Sequence, residues 1–126
     1  MGLKGIFELI KHSKTGDQRV VRDQLITEVI SPILRNWGYK KKGRAFLKKE
    51  ERIVKRLNVY SSSWNSKNEV EFIFEISAKG PGVDISGERA EEKWFTLTKD
   101  TDLKRISLEV REHLIKVVKP FLDKIR

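Results

Sequence analysis

The chain has 126 residues, 38% hydrophobic and 36% charged, with a formal net charge of +9 and no cysteine. The length fits one domain whose core needs no covalent staples, and the hydrophobic share excludes disorder as a default. The lack of cysteine removes disulfides, thiolate metal sites and thiol nucleophiles together, and it fits a reducing compartment.

The charge is concentrated. Residues 40–56 carry nine of the 27 basic side chains (Lys40, Lys41, Lys42, Arg44, Lys48, Lys49, Arg52, Lys55 and Arg56) against Glu50 and Glu51, so +7 of the +9 falls in this stretch. Local asymmetry of this kind points to an anionic partner. No apolar run matches a signal-peptide core or the ~18–20 residues of a membrane span. The expectation is a cytoplasmic protein without membrane association, forming a single α+β domain over 1–126. Within it, 1–16 make a short N-terminal extension and 17–126 the core.

In chain order, a helix is predicted from about Asp17 to Asn36. Val21, Leu25, Val29, Ile33 and Trp37 recur along it, with Ile26, Ile30 and Leu34 beside them, giving a broad apolar stripe. Asp17 suits the N-cap, Pro32 should kink the helix or end its regular part, and Gly38 suits the residue after the C-cap. Arg44 to Lys49 and Ile53 to Tyr60 look like a hairpin around Glu50 and Glu51, with no turn signal to set its register. Glu69 to Ser77 is the clearest strand. Val70, Phe72, Phe74 and Ile76 alternate with Glu69, Glu71, Ile73 and Glu75, as in a sheet with one buried face. Lys79-Gly80-Pro81-Gly82 reads as a turn, Val83 to Glu92 as a polar loop, and Trp94 to Thr98 as a short strand. A last helix runs from about Asp102 to Lys124, with Pro120 bending its final turn. The predicted architecture is two-layer α+β, in helix, strands, helix order. An antiparallel sheet of about four to five strands carries two long helices packed on one face.

Enzyme signatures are sparse. His12 and His113 lie on different elements, and His113 has no partner at metal-ligand spacing. No glycine-rich loop has the residues that cradle phosphate, and there is no Gly-x-Ser-x-Gly elbow. No catalytic residue, metal ligand or cofactor is assigned. Glu69, Glu71 and Glu75 share one strand face, and paired carboxylates can divide acid and base roles or simply meet Lys55 or Arg56 on a neighbouring strand. With Asn58 and Ser62, Glu71 and Glu75 would furnish a polar pocket, the basis of an alternative reading as an enzyme of unrecognised type. The segment Asn58 to Asn65 also reads as a loop whose Ser and Asn side chains bond their own backbone.

The leading reading is a non-enzymatic binding module. Its nine basic residues would meet an acidic protein or nucleic acid, with Tyr39 and Trp64 as stacking groups. The same lysines also suit a sheet edge guarded against aggregation.

Trp37-Gly38-Tyr39-Lys40-Lys41-Lys42-Gly43, then Phe46, Asn58 leading to Ser62 and Trp64, the Phe72 strand and the Trp94 strand before a helix with Pro120 resemble a bacterial family. That family is known as domain of unknown function 4304. The resemblance spans roughly residues 20–125. It implies an α/β domain found in bacteria, with no established activity. Family members often carry Asn-Phe-Gln-Lys-Ser at 58–62 and an asparagine near 75. Here Tyr60 and Ser61 replace the Gln and Lys, and Glu75 stands in place of the asparagine.

Overall fold

A computed structural model describes residues 16–126. The extension expected over 1–16 falls outside these residues except for Gly16, as does His12.

The first helix starts where Asp17 accepts the backbone N–H of Arg19 at 2.9 Å. It comprises α1 (Gln18–Leu25), a π-helical turn (Ile26–Ile30) and α2 (Ser31–Asn36), joined through residues that keep right-handed helical dihedrals. Pro32 was expected to kink or end it, yet the helix passes through. In a plain α-helix the proline ring would meet the carbonyl four residues back. Here the preceding turn is wide, with the Ser31 N–H bonding to the Ile26 carbonyl five residues back. The helix ends with Gly38 at φ 91°. The Tyr39 N–H bonds back to the Leu34 carbonyl at 2.9 Å and the Gly38 N–H to that of Arg35 at 3.0 Å. These are the paired bonds of a glycine-terminated helix, and they bury Tyr39 beside the helix end. The last helix repeats the plan. Asp102 caps α3 (Leu103–His113), a π turn (Leu114–Val118) follows, and α4 (Lys119–Lys124) carries Pro120.

Between the helices runs a six-stranded antiparallel open sheet: β1 (Lys40–Lys42), β2 (Ala45–Glu50), β3 (Ile53–Ser61), β4 (Glu69–Gly80), β5 (Val83–Glu88) and β6 (Phe95–Thr98). The order is β1-β2-β3-β4-β5, with β6 also on β4. Two-residue turns close three hairpins: Gly43-Arg44, Glu51-Arg52 and Pro81-Gly82. Gly43, Glu51 and Gly82 take positive φ in them, as tight hairpin turns require.

The expected four to five strands are thus six. Lys40–Lys42 is a strand in its own right, and Val83–Glu88, expected as a loop, pairs with the far end of β4. At Ser86-Gly87 the register against Ser77 slips. Gly87 has φ 60° and donates its N–H to the Ser77 hydroxyl at 3.0 Å. This bulge closes β5, and β6 takes over the same edge of β4 from Glu69 to Phe72.

Val70, Phe72, Phe74, Ile76 and Ala78 of β4 join both helices in one buried cluster, so the helices lie on one face of the sheet. The alternation expected for β4 holds. Glu69, Glu71 and Glu75 stand on the opposite face, which no described helix covers. Ile73 is fully buried on that uncovered face. Tyr60 stands opposite it on β3 and meets Trp94 edge-on, with ring centroids 6.2 Å apart.

Candidate functional site: the uncovered sheet face

The registers β1 to β4 set the uncovered face out in rows. Lys40, Leu47, Arg56 and Ser77 form one row; Lys42, Ala45, Asn58 and Glu75 form the next. Beyond these lie Tyr60 opposite Ile73 at one end, and Lys49 opposite Val54 at the other. Strand alternation therefore divides the nine basic residues. Lys40, Lys42, Lys49 and Arg56 belong to this face, Arg44 and Arg52 occupy hairpin turns, and Lys41, Lys48 and Lys55 have the helix-side parity. An open groove of about 570 Å³ runs along β1 and β2, lined by Gly38, Lys40, Lys41, Lys42, Leu47, Lys48, Lys49 and Val54.

The exposed cations are left without counter-ions. Among the described residues, Lys40, Lys41, Lys42, Arg44, Lys49, Arg52 and Arg56 enter no ion pair. Arg56 donates Nε to Asn58 Oδ1 at 2.9 Å and leaves the rest of its guanidinium to solvent.

Two of the expected anion-site residues are placed elsewhere. Lys55 is buried beneath the last helix, where its ammonium donates to the Leu122 carbonyl at 2.7 Å and pairs with Glu50 at 2.9 Å. Lys48 also pairs with Glu50, at 3.0 Å. Hydrogen bonds from Lys55 and Lys48 hold the Glu50 carboxyl below its ordinary pKa. Tyr39, expected to stack on a base, is 4% exposed and sits between the first helix and Lys48, whose ammonium lies 5.6 Å from the ring centre. Burial, with Glu50 and Asp123 nearby, raises the pKa of its hydroxyl. Trp64 is the reverse case: at 93% exposure it is the most open large apolar side chain described.

The polar segment beside Trp64 binds itself. Ser62 Oγ accepts the Trp64 N–H, Ser66 Oγ accepts the N–H groups of Asn68 and Glu69, and Asn65 bonds the backbone of Glu71 in both directions. Of the residues grouped as a polar pocket, the sheet brings Asn58 and Glu75 side by side, while Ser62 and Glu71 serve the loop. Glu75 was expected to meet Lys55 or Arg56, but its partner is Arg89, at 3.2 Å. Arg89 also pairs with Glu92 and lies 5.2 Å over the Trp94 ring. Long separations in the sequence hide the proximity of Arg89, Trp94 and the exposed ring of Tyr60. No group of three or more His, Asp or Glu side chains among the described residues could hold a metal ion.

His113 packs flat on Phe74 (6.0 Å) and edge-on to Phe95 (5.5 Å). Burial lowers its pKa from 6.5; Glu91 acts weakly against this and Lys93 with it. The folded state thus favours neutral imidazole. Stability from this packing is fully present above about pH 6.5 and is lost as pH falls through the lower folded value. Urea midpoints should therefore fall as pH is lowered below about 6.5, and fall less in His113→Phe. Equal pH slopes for the two proteins would contradict this packing.

No helix among the described residues is long and apolar enough to cross a membrane. No curated protein and no solved structure matches the chain. Residues 30–84, from the end of the first helix through the basic hairpin and β4, match the model of the family described as domain of unknown function (DUF4304), the family that the Trp37 to Phe46 piece resembles.

Proposed function

We propose that the protein is a non-enzymatic binding module of the bacterial cytoplasm that meets an anionic partner, an acidic protein or nucleic acid, through the basic β1–β3 end of its sheet. The observation carrying this reading is the segregation of the cations. Lys48 and Lys55 share Glu50 as a counter-ion, whereas Lys40, Lys42, Lys49 and Arg56 stand unpaired on a face that no described helix covers. Unpaired cations gathered on one face attract anions by charge. The enzyme reading is weaker, because Glu75 is engaged by Arg89 and Ser62 caps its own loop.

The test is titration with RNA, DNA and polyglutamate at ~50 mM salt, where exposed charges are weakly screened. The unmodified chain should bind at least one of these. Lys40→Glu/Lys42→Glu/Lys49→Glu, all at exposed positions, should weaken that binding by tenfold or more while leaving the thermal midpoint nearly unchanged. If the unmodified chain binds none of them, the patch is surface only and the proposal fails.

A further inference from the structure

Resting on that reading, we propose that the anionic partner is a single-stranded nucleic acid, lying across the uncovered sheet face with a base stacked on Tyr60. Tyr60 is 43% exposed although its ring is held in place. Glu75 and Glu92 fix Arg89, Arg89 lies over Trp94, and Trp94 meets Tyr60 edge-on. An aromatic side chain already fixed by its neighbours has little left to lose when a base settles on it.

The groups around Tyr60 fit the rest of a nucleotide chain. Arg56, Asn58 and Tyr60 follow one another on a single face of β3, about 6.8 Å between successive members. Lys40 and Lys42 run parallel to them two strands away, about 10 Å across the sheet, in the same rows as Arg56 and Asn58. An aromatic platform, an amide able to meet a base edge and a line of cations for phosphates are the elements of single-strand recognition. A paired duplex keeps its bases stacked inside, so it could use the cations but not Tyr60. An acidic protein is the weaker fit, since the centres of protein interfaces are depleted in lysine.

The experiment measures fluorescence anisotropy of the full chain with labelled oligo(dT) and oligo(U), with a matched duplex, and with labelled polyglutamate, from ~50 to ~200 mM salt. Single strands should bind tighter than the duplex or polyglutamate. Tyr60→Ala should weaken single-strand binding roughly 5- to 150-fold with the salt slope unchanged. Lys42→Ala should instead flatten the slope by about 0.7. Because Tyr60→Ala uncovers Ile73, Tyr60→Leu serves as the second variant. It keeps an apolar cover, should hold the denaturation midpoint, and should also lose affinity. Duplex or polyglutamate binding as tight as single-strand binding would overturn the inference. So would a Tyr60→Leu variant that binds like the unmodified chain; in either case the anionic-partner reading stands. If no polyanion binds at ~50 mM salt, both fall.

Discussion

Truncating Phe72 to alanine should cost about 3–5 kcal/mol of folding stability, a large part of what a domain of this size possesses. Phe72 is at the centre of the core by every measure. It is fully buried on β4 and stacks on Phe95 at 5.4 Å with 26° between the ring planes. It also meets Phe74 edge-on at 6.1 Å. Its backbone pairs with Ser61 of β3 on one side and Phe95 of β6 on the other. The packed strands leave the site little room to collapse, so the removed ring leaves a void. Chemical denaturation provides the measurement. A loss under about 1 kcal/mol would mean that the ring is outside the core and that the two-layer packing is wrong.

Lys55→Ala should be the next most damaging change considered, at about 2–3 kcal/mol. Lys55 lies directly opposite Lys48 on β2, a like-charge pair that would ordinarily repel. Glu50 reaches both ammonium groups, and the Leu122 carbonyl, in the last turn of α4, adds a further acceptor for Lys55. That carbonyl belongs to the negative end of the helix, where a cation is favoured. The substitution removes two charge-assisted bonds together with a packed aliphatic stem. Lys55→Met keeps most of the stem and should recover about 1 kcal/mol in the same urea titration. If Lys55→Ala unfolds at the same urea concentration as the unmodified chain, the ammonium is solvated and the bridge from sheet to helix is absent.

Much of this fold was legible in the residues. The apolar stripe of the first helix, the Asp17 cap, the strict alternation of β4 and the Pro81-Gly82 turn each carried a strong local signal. β5 was hidden because Gly87 and its bulge interrupt a short alternation, Val83-Asp84-Ile85-Ser86, that would otherwise mark a strand. β1 was hidden because three lysines in a row have no alternation of type. Lys55 reads as a surface residue by composition, yet its parity with Leu57 and Val59 was a clue to the face it occupies. The lysines around Tyr39 suggest a base-stacking role, whereas its position just after the helix-ending Gly38 governs its burial. The Glu75–Arg89–Trp94–Tyr60 arrangement depends on which strands share an edge of β4, and no local pattern reports that.

The wide turns before Pro32 and Pro120 have a consequence for angular phase. Ile106, Val110, Leu114, Val118 and Leu122 are all buried, and each stands four residues from the next. In an ordinary α-helix a step of four residues overshoots a full revolution by about 40°, so Leu122 would end about 160° away from Ile106. Such a row would wind around to the solvent. Ile26, Ile30 and Leu34 in the first helix would begin the same drift. A turn closed by a bond to the fifth residue back rotates less per residue and returns part of the overshoot. One surplus residue in each helix thus lets a period-four row serve as a single line of contact from the first turn to the last.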